Sequence, residues 1–88
     1  MAVKVHLGSI LLSYTGGRAE VTADGRNVDS VLRSLDEQFP GIAFRVVDER
    51  GEIRPHVKLF VDSALVKKVS EPVSESQTLH ILGALSGG

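Results

Sequence analysis

The residues with the clearest chemical potential stand at the end of the chain, where Gly83-Ala84-Leu85-Ser86-Gly87-Gly88 finishes on a diglycine and a carboxylate. Glycine has no Cβ, so Gly87 and Gly88 can take backbone angles closed to other residues and can pass through a slot too narrow for a side chain. Six extended residues at roughly 3.3 Å each reach about 20 Å beyond a folded body. That is far enough to deliver a carboxylate into another protein's active site. A small, polar, disordered terminus would read the same way, so the rest of the chain has to decide.

Inside the chain no constellation points to catalysis. None of the serines sits in a Gly-x-Ser-x-Gly elbow, and no Ser/His/Asp set has a supporting spacing. His6 and His80 fall on the same outer sheet face if the first and last strands are neighbours, but two imidazoles are fewer than zinc usually takes, so no metal site is expected. His56 reads as a surface residue at a strand start. Phe60, His80 and Leu82, with His6, form the more informative set. Two large apolar side chains on one sheet face, beside the base of a tail, make a candidate docking patch, provided that the strand register is right.

The elements that would position these groups follow from hydrophobic periodicity. Val3-Lys4-Val5-His6-Leu7 alternates with period two, a half-buried strand with Val3, Val5 and Leu7 inward. Thr15-Gly16-Gly17 signals that the chain doubles back into a second strand, Arg18 to Ala23, with Ala19, Val21 and Ala23 on one face. Asn27 is placed to cap a helix whose stripe is Val28, Val31, Leu32, Leu35 and Phe39, with Arg33, Asp36 and Glu37 exposed, and Pro40-Gly41 stops it. Ile42 to Val47 reads as an irregular crossover or a short strand, and Asp48-Glu49-Arg50-Gly51-Glu52 as a polar turn. Val57-Lys58-Leu59-Phe60-Val61 alternates again and sends Phe60 outward. Ala64 to Val69 suggests a short edge strand guarded by Lys67-Lys68. Thr78 to Leu82 is the last strand, with Leu79 and Ile81 inward and His80 and Leu82 outward. One amphipathic helix, about residues 27–39, covering a mixed sheet of four or five strands makes an α+β roll over 1–83 with an extended tail at 84–88.

Composition narrows the class. Eighty-eight residues, 42% hydrophobic and 24% charged, make one ordinary globular domain. Ten basic residues against eleven acidic ones offer no general attraction to nucleic acid or to an anionic membrane. The chain has no cysteine, which excludes disulfides, thiolate nucleophiles and zinc-thiolate sites. No apolar run approaches the roughly 20 residues that span a bilayer, and the N-terminus lacks a signal-peptide layout, so the cytoplasm is the expected location.

The element order, the Thr15-Gly16-Gly17 turn, the helix from Val28 to Phe39, the strand Val57-Lys58-Leu59-Phe60-Val61-Asp62 and the Gly83-to-Gly88 end together resemble the ubiquitin-like β-grasp sulfur carriers of the ThiS/MoaD family, most of all those of CysO type. The resemblance implies a carrier rather than an enzyme. An adenylating partner of the ubiquitin-activating type would use ATP to activate the Gly88 carboxylate, which would then become a thiocarboxylate; no cofactor would be bound permanently. Gly87 would thread the partner's channel, with Ala84, Leu85 and Ser86 along its mouth. Phe60 and Leu82 fall where the family places apolar partner contacts, while His6 stands where relatives can carry an aromatic. Further implied partners are a sulfur-accepting synthase, with a cysteine synthase homologue favoured and molybdopterin, thiamin or another metabolite as the alternative products, and a zinc-dependent isopeptidase. Conjugation of Gly88 to target lysines, as a protein modifier, and a passive interaction module are the alternatives.

Overall fold

A computed structural model describes residues 2–83. In chain order it comprises β1 (Ala2–Leu7), a 3₁₀ helix (Ser9–Tyr14), β2 (Glu20–Asp24), α1 (Val28–Gln38), α2 (Ile42–Val46), β3 (Val57–Val61), β4 (Ala64–Leu65) and β5 (Thr78–Gly83). The five strands form one sheet in the order β2-β1-β5-β3-β4. β1 and β5 run parallel at its centre, and the other pairings are antiparallel. A single long helix held against one face of this mixed sheet is the β-grasp roll.

Period-two alternation places Val3, Val5 and Leu7 of β1, Leu59 of β3, and Leu79 and Ile81 of β5 on the inner face, all buried. The α1 stripe Val28, Val31, Leu32 and Leu35 is equally buried against them. Each such side chain, fully withdrawn from water, contributes about 1.5–3 kcal/mol before the entropy of ordering is subtracted. The start of α1 is set by a reciprocal cap: Asn27 Oδ1 accepts from the Ser30 N–H at 2.8 Å, and Ser30 Oγ accepts from the Asn27 N–H at 3.2 Å. Both satisfy donors that a helix N-terminus leaves without intrahelical partners.

Three segments differ from the sequence expectation. The β1–β2 connection is not a tight hairpin: a 3₁₀ helix fills it and buries Leu11, and β2 starts at Glu20, leaving Arg18 and Ala19 outside the strand. Thr15 closes the loop, its hydroxyl donating to the Arg18 carbonyl at 2.7 Å, and Gly16 and Gly17 supply the positive φ angles of 67° and 92°. Ile42–Val46 is a helix rather than a crossover or strand. Gly41 enters it at φ 97°, Asp36 Oδ1 accepts the Gly41 and Ala43 N–H groups at 3.0 and 3.1 Å, and Ile42 and Val46, one turn apart, point inward. The edge strand β4 has only two residues. After it Val66 turns into the core, and the Lys67 and Lys68 N–H groups bond to Glu71 Oε2 instead of to a sheet partner.

Among the described residues no helix is long and apolar enough to cross a membrane.

Candidate functional site

The outer face of the sheet carries the expected patch. His6 and His80 are partners across the parallel β1–β5 pair, and Phe60 and His80 are partners across β3–β5. Residues directly opposite on neighbouring strands share a face, so His6, His80 and Phe60 form one row running across the strands. The two imidazoles meet edge to face with ring centroids 5.4 Å apart. Leu82 lies two residues beyond His80 on the same face of β5, opposite Lys58, and is 38% exposed. All four sequence-expected residues are thus gathered on one surface.

Phe60 is half-buried rather than exposed, because neighbours on both sides of its row cover it. One of those neighbours escaped the sequence reading. Leu65 of β4 is the cross-strand partner of Phe60 and, at 47% exposed, extends the row to the sheet edge. Its signal was present in the Ala64–Leu65 edge segment, but which face it joined depended on its register with β3. Lys4, Lys58 and Glu20 stand exposed around the patch and mark its rim.

His6 Nδ1 is buried and has no hydrogen-bond partner among the described residues. A buried polar atom left unsatisfied costs about 1–3 kcal/mol, so a histidine here is not explained by stability. Among the described residues no group of three or more His, Cys, Asp or Glu is arranged to hold a metal ion.

The base of the tail is fixed from both sides. Strand β5 pairs with β3 as far as Gly83, opposite Val57, and on its other side the Gly8 N–H donates to the Ile81 carbonyl at 2.8 Å. Ile10 of the 3₁₀ helix lies over Gly83 so closely that a Cβ there would overlap its side chain. A side chain at position 83 would therefore force Ile10 to shift, and the described residues end at this contact. At about 3.3 Å per residue, this point lies roughly 10 Å along β5 from His80. Ala84, Leu85, Ser86, Gly87 and Gly88 lie outside the described residues.

Two carboxylates are held below their ordinary values, and both belong to turns rather than to this face. Asp48 accepts the Glu52 N–H, the main cause, and the Arg50 N–H, with the Arg50 and Arg54 charges adding. Glu71 is lowered by the Lys67 N–H first and the Lys68 N–H second. These carboxylates organise loops.

No family model matches the chain. Among curated proteins it is 28% identical, over 93 residues spanning 100% of both chains, to the sulfur carrier protein CysO of Mycobacterium tuberculosis and of Mycobacterium bovis. Among solved structures, a chain of the Amycolatopsis orientalis BexX/CysO complex superposes with a TM-score of 0.89 at 29% identity, covering 98% of this chain and 99% of that one. The chain resembles the CysO-type sulfur carriers. Mycobacterium tuberculosis CysO itself superposes with a TM-score of 0.88 at 26% identity, over 94% of this chain and 99% of that one. SAMP1 of Haloferax volcanii, at a TM-score of 0.80 and 22% identity over 100% of both chains, shares the fold. On this CysO-like body, the outer row crosses the central strand β5 at His80, three residues before Gly83.

Proposed function

We propose that this chain is a sulfur carrier whose working group is the Gly88 carboxylate. One observation carries the reading: the outer-face row His6, His80, Phe60 and Leu65, with exposed Leu82 beside it, crosses the same central strand, β5, that the glycine-terminated segment follows in sequence. The likeness to CysO supports it. A carboxylate is a poor acyl donor because it would have to expel oxide or hydroxide. Attack of the Gly88 carboxylate oxygen on the α-phosphorus of ATP releases pyrophosphate and makes an acyl-adenylate. A sulfur nucleophile then displaces AMP and leaves the thiocarboxylate.

The carrier's own residues supply address and reach. His6, Phe60, Leu65, His80 and Leu82 dock on an adenylating partner of the ubiquitin-activating type. Their contact offsets the ordering of the tail, at about 0.5–1.5 kcal/mol per immobilised side chain. Gly87 threads the partner's channel with Ala84, Leu85 and Ser86 along its walls, and the partner provides orientation and electrostatic stabilisation. Cysteine is the favoured end product, through a sulfur-accepting synthase.

Incubating the chain with ATP, an activating enzyme and sulfide, and measuring its intact mass, tests the reading. The expected result is the gain from one sulfur replacing one oxygen, and its loss when Gly88 is removed. A ladder of adducts on lysines of other proteins would replace this reading with that of a protein modifier. An unchanged mass would sink both.

A further inference from the structure

Five of the chain's ten lysines and arginines line a single groove at the β4 end of the sheet, although the chain as a whole carries a net charge of −1. The groove is three concavities in a row. One of about 510 Å³ lies between Gly51-Glu52-Ile53 and Lys67-Lys68-Val69-Ser70. The next, of about 270 Å³, shares Ile53 and Lys67 with it and adds Arg54, Lys58 and Leu65. The third, of about 260 Å³, shares Arg54 and is completed by Phe44, Arg45 and His56. Glu52 is the one carboxylate among these lining residues, and it is paired with Arg50 at 3.3 Å.

The cations have carboxylates nearby, Asp48 for Arg54 and Glu71 for Lys67 and Lys68, but are not held in ion pairs. None of the five lies within ion-pairing distance of a carboxylate among the described residues. Glu71, beside Lys67 and Lys68, bonds to their backbone N–H groups. Arg54 is held for recognition: its Nε donates to the Phe44 carbonyl at 2.8 Å, and its guanidinium lies 4.6 Å from the centroid of the Phe44 ring. This fixes the planar fork while its two terminal nitrogens stay free to meet a carboxylate bidentately. Between the cations the lining is apolar. Ile53 and Leu65 contribute to it, and Phe44 is 57% exposed.

We propose that this groove binds an extended acidic segment of a partner protein, with carboxylates on Arg54, Lys67 and Lys68 and apolar side chains against Ile53, Leu65 and Phe44. Charge complementarity selects the occupant, and three concavities joined through shared lining residues suit an extended chain. A single-stranded nucleic acid fits less well. It needs open aromatic faces for its bases, and the groove's one phenyl ring already carries Arg54. The groove meets the outer sheet face at Leu65 and Lys58, and its other lining residues lie off that face.

The test uses the isotope-labelled full chain and a capped octapeptide of alternating Glu and Leu, followed by amide chemical shifts. Shifts are expected at Ile53, Arg54, Leu65, Lys67 and Lys68, with His6, His80 and Leu82 unmoved. Raising ionic strength from about 0.01 M to about 1 M shortens the screening length from about 30 Å to about 3 Å and should weaken binding at least tenfold. Arg54→Gln should weaken it about tenfold through loss of the bidentate pair. The Lys67→Gln/Lys68→Gln variant changes two exposed side chains, stays folded, and should weaken it about fivefold. The proposal is overturned if a Gln-for-Glu peptide binds equally, if the shifts fall on His6, His80 and Leu82 instead, if an oligothymidylate competes as well as the peptide, or if no binding occurs. Neither ATP nor Gly88 takes part, so the outcome is independent of the sulfur-carrier chemistry.

Discussion

Replacing Gly83 by alanine tests whether Ile10 and the end of β5 are packed too closely for a side chain at position 83. A Cβ on Gly83 would overlap the end of the Ile10 side chain and lie 2.6 Å from its Cγ1, well inside ordinary contact. Ile10 has little freedom to yield. It is β-branched and therefore stiff at χ1, and its 3₁₀ helix is tied down by buried Leu11 and by the Gly8–Ile81 hydrogen bond of 2.8 Å. Overpacking of this kind costs about 1–3 kcal/mol. For a domain of this size each kcal/mol lowers Tm by about 4–8 °C, so Gly83→Ala should melt at least about 4 °C below the parent. Ile10→Ala removes the obstruction at the expense of some burial. If the effect is steric, Ile10→Ala/Gly83→Ala will be no less stable than Ile10→Ala alone, a coupling of about 1–3 kcal/mol in a double-mutant cycle. Urea unfolding of the four proteins, followed by circular dichroism, measures it. Simple addition of the two single losses would refute the argument.

Three further outcomes are expected. Leu82→Ala and Leu65→Ala should each change stability by no more than about 0.5 kcal/mol while raising the KM of an activating enzyme for the carrier. Phe60→Ala, being half-buried, should also cost about 1 kcal/mol in urea unfolding. Asn27→Ala should destabilise the fold by about 0.5–2 kcal/mol, because the Ser30 N–H at the start of α1 loses its acceptor; thermal melts read this directly. Asp48 and Glu71 have depressed values in the folded chain, from ordinary values of 3.8 and 4.5. Their stabilisation is therefore complete above those unfolded-state values and is lost as pH falls through the folded ones. A Glu71→Gln variant should show a shallower loss of stability with pH below 4.5 than the parent, and equal slopes would contradict the assigned hydrogen bonds.

The strands β1, β3 and β5, the helix α1 with its Asn27 cap, and the inward and outward assignment of His6, Phe60, His80 and Leu82 were legible in the amino-acid order. Each rests on a local rule: period-two or 3.6-residue spacing, or a side chain that bonds its own neighbouring backbone. Short segments were not legible. A five-residue apolar run such as Ile42–Val46 is too brief to display a period, and it is helical because Asp36, on another helix, supplies acceptors for its first N–H groups. Leu65 joined the patch only through its pairing with Phe60, and the reason for a glycine at position 83 became visible only with Ile10 above it. The basic groove belongs to the same class. Arg45, Arg54, Lys58 and Lys67 are scattered along the chain, and the folding of the 51–58 segment against the β4 edge brings their charges together. Local propensity writes the elements into the sequence, but nearness between residues far apart in the chain is decided only when the apolar faces of those elements are buried against one another.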